Sequence, residues 1–246
     1  MGGGRKWIYK QLLPHVLRKA DIIVCISNYV RDEVKTIYPY TAQKLTTVYN
    51  SVDIHRNESD SIVKGKYILY VNSLLLYKNV GTLVKAFAHI YDKIPHKLVV
   101  VGKSTDYWKG IYGEYSRNKN LAERIVLLEN IEDEELASLY SHADLFVTTS
   151  LFEGFGFTPI EAAICGARVI STEETALPET TKGLLNYYRP ANDYHELAAG
   201  ILEQLSEEIN QKKQQEISQT LAASYDVHRC AGEMIQKILD AYHRRA

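Results

Sequence analysis

Short apolar runs alternate with amphipathic stretches through the middle of the chain. The runs that predict buried strands are Tyr67 to Val71, Lys97 to Val101, Ile125 to Leu128 and Asp144 to Thr149. Between them, apolar residues at helical spacing predict a helix from Val80 that ends by Pro95, and another from about Asp133 to His142. This alternation predicts an α/β fold, a Rossmann-like parallel sheet with helices on both faces. Its ligand crevice lies beyond the carboxyl ends of the strands.

Similar patterns flank this block. Before it come a strand from Asp21 to Ile26, a helix from Ser27 to Ile37 capped by Ser27 or Asn28, and a strand from Leu45 to Tyr49. After it come a helix from about Pro159 to Cys165, a strand from Arg168 to Ser171, and helices at about Asp193 to Leu205 and Val227 to Tyr242. A polar insertion rich in Tyr and Lys follows Gly102, and the polar run 207–216 predicts a solvated helix face. The polar stretch from His55 to Lys66 predicts a domain boundary, giving parts 1–54, 55–224 and 225–246.

Composition narrows the class of protein. The 246 residues are 46% hydrophobic and 24% charged, as in soluble globular proteins, and the net charge of −1 argues against a nucleic-acid binder. Three distant cysteines indicate neither a disulfide framework nor a zinc site, and none of the eight histidines has metal-ligand spacing. No apolar run approaches the roughly 20 residues of a membrane-spanning helix. We therefore expect a cytoplasmic protein without a metal.

The most informative segment is a glycine-rich turn between the strand that ends at Thr149 and the helix that begins near Thr158 and Pro159. Gly154 and Gly156 allow close approach of the backbone to a ligand, and amides at a helix start favour phosphate oxygens. Glu153 and Glu161 bracket this turn, and their carboxylates can accept hydrogen bonds from sugar hydroxyls. The turn therefore predicts a site for a phosphate-linked sugar.

Plainer interpretations of the same residues remain open. The run Thr158 to Glu161 has the spacing of a capping box, in which the glutamate bonds the backbone at the helix start. Glu153 can be a surface carboxylate, and both glycines can be ordinary turn residues.

The segment EGFGFTPIEAAICGARVIS resembles the signature of family-4 glycosyltransferases, in which two glutamates separated by seven residues flank a GFG turn. Further segments resemble the family in the same order: SNYVRDEV, VYNSVD, YVNSLLLYKNVGTLVKAF, LVVVG, ELASLYSHADLFVTTS and ALPE at Ala176 to Glu179. The resemblance extends from about Ala20 to about Leu205.

The resemblance implies a GT-B fold and retaining transfer of a hexose, mannose among the candidates, from a GDP- or UDP-sugar. Glu161 would hold the ribose of the donor, while Glu153 and the backbone of Phe155, Gly156 and Phe157 would contact its sugar and diphosphate. Lys78 matches a diphosphate-binding lysine, against the alternative of a solvated residue before a helix. The reaction would be metal-independent, because no DxD sequence is present.

The chain departs from the family pattern in two ways. Ser73 stands where the family usually has an arginine, and Lys103 is a candidate substitute. Residues 1–54 resemble only the end of the acceptor-side domain, and residues 225–246 resemble a helix that packs back toward it. The leading hypothesis is a hexosyltransferase of cell-surface polysaccharide synthesis, such as lipopolysaccharide or capsule, with a glycan or lipid-linked acceptor. A donor-binding module without turnover is the main alternative, and another GT-B-like enzyme, an epimerase or phosphorylase, is a weaker one.

Basic and apolar residues occur together near the start of the chain. They are Arg5, Lys6, Trp7, Ile8, Lys10, Leu12, Leu13, Arg18 and Lys19. Such a mixture suits peripheral contact with the anionic inner face of the plasma membrane. We favour instead a helix that belongs to a larger acceptor-side domain.

Overall fold

The computed structural model describes residues 3–57 and 59–244, with side chains from residue 10 onward. The chain forms two compact units. The first contains the described residues up to Ser51 together with those from Tyr225, and the second is Val52–Ser224. For comparison, the sequence pattern places the divisions after residues 54 and 224.

Eight strands and eleven α-helices occur in the described residues. The strands are β1 Ile23–Cys25, β2 Leu45–Thr47, β3 Tyr67–Val71, β4 Lys97–Val101, β5 Ile125–Leu128, β6 Leu145–Val147, β7 Val169–Thr172 and β8 Asn186–Tyr188. The helices are α1 Gly3–Lys19, α2 Asn28–Ile37, α3 Val80–Ile90, α4 Asp106–Tyr115, α5 Lys119–Ala122, α6 Asp133–His142, α7 Phe157–Ile164, α8 Leu177–Thr180, α9 Tyr194–Ser206, α10 Gln211–Ser224 and α11 Val227–His243. Short 3-10 turns occupy Pro39–Thr41 and Leu76–Lys78.

The first unit contains a parallel pair of strands, with Ile23 of β1 opposite Leu45 of β2. Helix α2 lies between them along the chain and begins as predicted, because the Ser27 hydroxyl accepts a hydrogen bond from the amide of Val30. Helix α11 belongs to the same unit and begins in the same way, since the Asp226 carboxylate accepts a bond from the amide of Arg229.

The second unit is built on a parallel six-stranded sheet in the order β5-β4-β3-β6-β7-β8. The first strand of the unit, β3, lies in the middle and pairs with both β4 and β6. The chain therefore moves outward to one edge, returns to the centre and moves out to the other edge, which is the doubly wound Rossmann order. The predicted fold class is confirmed. The order reverses between β3 and β6, and this switch point is where such sheets bind ligands.

Buried side chains on the sheet and on the helices beside it hold this unit together. All five residues of β3 are buried, and Leu83, Val84 and Phe87 of α3 have no exposed surface. Burying a side chain of that size stabilises a fold by about 1.5 to 3 kcal/mol before the loss of conformational entropy is subtracted. The core therefore fixes where the carboxyl end of each strand lies.

The segment after Gly102 contradicts the sequence prediction. It is not a polar insertion but two helices, α4 and α5, capped by the side chains of Thr105 and Asn118. In each helix a single residue is buried, Trp108 in α4 and Leu121 in α5. The other core contacts of α4 come from half-buried residues, three of them tyrosines that read as polar, so the helical pattern was missed; these residues are Tyr107, Ile111, Tyr112 and Tyr115.

Charged groups cluster at the amino ends of the strands. Arg124 donates hydrogen bonds to the carbonyls of Tyr91, Ile94 and His96. Arg168 donates to the carbonyls of Asp144, Gln204 and Glu207. The His96 imidazole is buried with its Nε2 3.6 Å from the Asp144 carboxylate. We call His96, Arg124, Asp144 and Arg168 the amino-edge cluster.

Candidate functional site

The candidate site lies at the switch point, at the carboxyl ends of β3 and β6. Strand β3 is followed by Asn72 and then by the 3-10 turn Leu76–Lys78, while β6 is followed by the chain that leads to Glu153. Because both strands are parallel and adjacent, their carboxyl ends meet at one edge. Residues far apart in sequence are thereby brought together.

Lys78 is held at this edge by its backbone. The hydroxyls of Tyr70 and Thr149 each donate a hydrogen bond to its carbonyl oxygen, both at 3.0 Å. The following residue, Asn79, adopts a left-handed conformation with φ 56°, which ends the 3-10 turn before α3 begins. Lys78 is buried, so its interpretation as a solvated residue before a helix is wrong.

The ammonium of Lys78 contacts the carboxylate of Glu153. Its Nζ lies 2.6 Å from Oε1, and the side chains are only 11% and 13% exposed. Glu153 is therefore not the surface carboxylate of the plainer interpretation. A nearly buried ion pair carries a large desolvation cost and contributes little net stability, so its presence at a ligand-binding edge favours a functional role.

The turn that carries Glu153 is braced by the segment that precedes α8. The hydroxyl of Thr175 accepts a hydrogen bond from the Glu153 amide at 2.8 Å and donates one to its carbonyl at 2.9 Å. The amide of Ala176 donates a further bond to the same carbonyl. The Thr180 hydroxyl donates to the carbonyl of Phe155. Both sides of the turn are thus fixed, one to the residues just before α8 and the other to α8 itself.

Gly156 is the residue that allows the turn to close. Its φ of 87° lies in the left-handed region, and a Cβ there would lie 2.5 Å from Cδ2 of Leu177. Gly154, which the sequence also singles out, is half-buried between Glu153 and Phe155. Leu177 of the ALPE segment therefore packs against the turn at the place where any other residue than Gly156 would have its side chain.

Helix α7 begins earlier than predicted. Its first residue is Phe157, and Gly156 at its N-cap provides no side-chain hydrogen bond. The capping box predicted for Thr158 and Glu161 is therefore wrong, because Glu161 is the fifth helical residue and lies too far along. The amides of Phe157 and Thr158 are in the first turn, next to the Glu153 turn, and no side chain of the N-cap residue occupies them.

The two phenylalanines of the turn differ in exposure. Phe155 is buried and Phe157 is exposed, with ring centroids 4.9 Å apart. Phe155 anchors the turn in the core, so the first turn of α7 is held close to the surface. Thr158 follows on the helix and is half-buried.

Glu161 faces α6 and receives a hydrogen bond from it. The hydroxyl of Tyr140 donates to Oε2 of Glu161 at 2.9 Å. Burial raises the pKa of Glu161, the bond from Tyr140 opposes that rise, and the nearby Asp133 carboxylate adds to it. Burial also raises the pKa of Tyr140 well above its usual value, so the phenol stays a donor at neutral pH.

Ser73 and Lys103 are both exposed at the same edge. The strands that precede them approach each other closely, since a Cβ on Gly102 would lie 2.2 Å from the carbonyl oxygen of Asn72. Lys103 follows Gly102 directly and Ser73 follows Asn72. Each of them thus directly follows a residue of this close approach, and the role expected of Lys103 stays a prediction.

Sequence reasoning missed three contributors to this site. Asn72 places its amide 3.5 Å from Oε1 of Glu153 and 3.4 Å from the Ser150 hydroxyl. Its place directly after a predicted strand was a usable signal. Thr175 directly precedes the ALPE segment, which gave a weaker signal. The contact of Tyr140 with Glu161 joins two helices and had no signal in the sequence.

Among the cavities of the described residues, four with volumes of about 360 to 600 Å³ are each lined by residues other than Lys78, Glu153 and Glu161. The candidate site is thus defined by its contacts rather than by one of these cavities. The described residues contain no group of three or more His, Cys, Asp and Glu placed to hold a metal ion. No described helix is both long enough and apolar enough to cross a bilayer.

Comparison with known families decides the relationship. Residues 51–221 match the family described as glycosyl transferases group 1. The chain belongs to this family. Residues 2–56 match a second family description, glycosyltransferase family 4. The resemblance that the sequence motif indicated is therefore confirmed.

Curated relatives agree with this assignment. The chain is 28% identical over 193 residues to the O-antigen chain mannosyltransferase RfbU of Salmonella typhimurium, which covers 77% of this chain and 52% of that protein. It is 26% identical over 204 residues to the O-antigen chain mannosyltransferase B of Escherichia coli, covering 78% and 53%. The chain thus spans about half the length of the curated relatives it matches.

Solved structures show the same fold. A sucrose-phosphate synthase from Thermosynechococcus elongatus superposes with a TM-score of 0.77 at 23% identity, over 95% of this chain and 61% of that one. HepE of Anabaena, solved with UDP and glucose, superposes with a TM-score of 0.75 at 20% identity, over 92% and 65%. These neighbours are GT-B glycosyltransferases, which agrees with the predicted fold.

Proposed function

We propose that this chain belongs to a retaining glycosyltransferase that moves a hexose from a GDP- or UDP-sugar to a glycan or lipid-linked acceptor in cell-surface polysaccharide synthesis. The observation that carries the proposal is the Lys78–Glu153 contact at the switch point of the sheet, beside the first turn of α7. The names of the curated relatives, O-antigen mannosyltransferases, support the reaction class and the pathway type.

Lys78 has the chemistry that a diphosphate requires. An ammonium has three N–H donors, so the bond to Glu153 leaves two for phosphate oxygens. As the bond between sugar and diphosphate breaks, negative charge grows on the leaving nucleotide. A fixed cation at this edge stabilises that charge, and the stabilisation is larger where water is excluded.

The first turn of α7 supplies the second anion-binding element. The amides of Phe157 and Thr158 carry the partial positive charge of the helix start. Pro159 has no amide hydrogen, so the amide donors of this turn end at Thr158. Together with Lys78 these groups would bind the diphosphate from two sides.

The two glutamates would bind the sugars at either end of the diphosphate. Glu161 on α7 would accept hydrogen bonds from the ribose hydroxyls, and Glu153 in the turn would accept them from the transferred hexose. Glu153 already contacts Lys78. The donor sugar would therefore lie next to the cation that stabilises its leaving group, which suits cleavage of the bond between them.

The site provides its positive charge without a metal in this proposal. Lys78 and the start of α7 would face the diphosphate as its positively charged partners. Lys103 would contribute the cation that Ser73 lacks, because the residues that precede them, Gly102 and Asn72, approach each other closely. We propose a metal-independent reaction on this basis.

The proposed setting is the cytoplasm, and peripheral contact at the inner face of the plasma membrane is the alternative to the acceptor-side role favoured above for the start of the chain. On α1 the basic residues Lys10, Arg18 and Lys19 are exposed, and so are Leu12 and Val16. This combination suits an anionic lipid surface. The remaining residues of that prediction, Arg5, Lys6, Trp7 and Ile8, have side chains outside the described part of the structure.

Titration of the 246-residue chain with UDP-, GDP- and ADP-sugars tests the donor site. The proposal predicts saturable binding of one class of nucleotide sugar, unchanged by a chelator of divalent metals. Absence of binding to all of them would contradict it. Binding without transfer to any added glycan would favour the alternative, a donor-binding module without turnover.

A further inference from the structure

Tyr140 is a buried phenol with a fixed position. Its side chain has no exposed surface, and its ring packs against Phe146 of β6 with centroids 5.6 Å apart. Its hydroxyl donates to Oε2 of Glu161 at 2.9 Å. Because the ring cannot move without disturbing the core, the hydroxyl is a rigid donor aimed at one oxygen of that carboxylate.

We propose that Tyr140 is a positioning residue: its hydroxyl holds Oε2 of Glu161, so that Oε1 is presented to the ribose hydroxyls of the donor nucleotide. This inference rests on the proposed function, in which Glu161 binds the ribose of the donor. A glutamate side chain loses about 1.5 to 2 kcal/mol of conformational entropy when it is fixed. Fixing it before the donor arrives removes part of that cost from binding.

The same hydrogen bond favours the ionised form of Glu161, because it lowers the pKa that burial raises. A charged carboxylate accepts stronger hydrogen bonds from the ribose hydroxyls than a neutral carboxyl group does, and burial works against that charge. The phenol opposes the effect of burial by donating to the charged form. The other groups that act on Glu161 do not help, since Asp133 is a like charge and burial raises the pKa of Cys165 to about 12, which leaves its thiol neutral.

The test compares Tyr140→Phe, Glu161→Gln and the double variant in the 246-residue chain, titrated with UDP-glucose and GDP-mannose between about pH 5 and 8. Tyr67→Phe is the matched control. Tyr67 is equally buried, and its hydroxyl donates to the carbonyl of Leu139, the neighbour of Tyr140 on α6. Tyr67 is the first residue of β3, so it lies at the amino ends of the strands, away from the candidate site at their carboxyl ends.

We expect Tyr140→Phe to weaken donor binding about 3- to 10-fold at neutral pH, the loss of one hydrogen bond to a charged group. On acidification its affinity should fall at a higher pH than in the parent chain, because Glu161 protonates sooner without the phenol. The double variant should bind as Glu161→Gln does, since Tyr140 acts through Glu161. Tyr67→Phe should leave both affinity and pH profile unchanged.

Two outcomes would overturn the inference. One is parental affinity and pH profile in Tyr140→Phe while Glu161→Gln binds weakly, which leaves the proposed function intact. The other is an equal loss in Tyr67→Phe, or additive losses in the double variant, which would indicate general loosening of α6. Unchanged donor binding in Glu161→Gln would instead refute the ribose role on which the inference rests.

Discussion

Charged groups are buried at both ends of the strands in the six-stranded sheet, the amino ends and the carboxyl ends. The two ends use these charges differently. In the amino-edge cluster, each arginine donates to three backbone carbonyls. At the carboxyl ends, Lys78 and Glu153 bond chiefly to each other, and the first amides of α7 donate no bond to an N-cap side chain.

The difference separates a structural use of charge from a binding use. A guanidinium that satisfies carbonyls of the loops and helix ends around it holds those segments together, and little of its bonding capacity remains for a ligand. A lysine and a carboxylate that meet only at their tips can exchange that contact for a ligand. Residues at the amino ends of the strands should therefore control stability, and residues at the carboxyl ends should control donor affinity.

The largest effect is expected for Gly156→Ala. A left-handed backbone costs a residue with a Cβ about 1 to 2 kcal/mol, and the new Cβ would lie 2.5 Å from Leu177. With overpacking added, the free energy of unfolding should fall by about 2 to 4 kcal/mol, and donor binding should be lost with the turn. Urea unfolding and donor titration measure both.

Gly65→Ala is the matched control for that experiment. Gly65 has almost the same φ, 86°, but no atom lies within 4 Å of the added Cβ. It should lose only about 1 to 2 kcal/mol from backbone strain and keep donor affinity. Equal losses in the two variants would show that the contact with Leu177 does not matter.

The variant Arg168→Met should change the stability of the chain but not its affinity for the donor. Arg168→Met removes a guanidinium bonded to three carbonyls and should lower the free energy of unfolding by about 2 to 3 kcal/mol. Donor affinity should stay within about 2-fold of the parent chain, because Arg168 precedes β7 and so lies at the amino ends of the strands, away from the candidate site. A large loss of affinity in a folded Arg168→Met chain would break the distinction between the edges.

The double variant Lys78→Gln, Glu153→Gln should show the opposite result: donor affinity falls while stability is kept. Replacing both partners keeps two hydrogen-bonding side chains and leaves no uncompensated buried charge, so stability should change by less than about 1 kcal/mol. Donor affinity should fall at least about 10-fold, or about 1.4 kcal/mol, because the cation is gone. Parental affinity in this variant would remove Lys78 from the site.

The smallest expected effect is a pH dependence of stability from His96. Burial lowers its pKa, although Asp144 opposes this and Lys66, Arg124 and Arg168 reinforce it. Below about pH 6.5 the unfolded chain therefore binds a proton that the folded chain resists, so stability falls as the pH drops toward the folded-state pKa. Urea unfolding at pH 7.5 and 5.5 should show a smaller fall in His96→Gln than in the parent chain.

Hydrophobic pattern was sufficient for the central elements. The predicted bounds of β3, β4, β5 and α6 match the structure, since each is a strong apolar run or periodic stretch between turn residues. The edge strand β8 was missed because it is only three residues long and begins with Asn186, so no apolar run marks it.

Prediction of the site had a different limit. The turn around Gly156 was visible as a local motif, but the start of α7 was not, because a left-handed glycine set the helix start at Phe157. The pairing of Lys78 with Glu153 joins residues 75 positions apart. Only the adjacency of β3 and β6 creates it, and sheet order lies beyond what local pattern determines.

A structure of the 246-residue chain with a bound nucleotide-sugar analogue would show whether the diphosphate binds between Lys78 and the start of α7. We expect diphosphate oxygens within about 3.5 Å of Lys78 Nζ and of the Phe157 or Thr158 amide, with the ribose hydroxyls at Glu161. A nucleotide bound away from the carboxyl ends of β3 and β6, with Lys78 and Glu153 still paired and out of its reach, would contradict it.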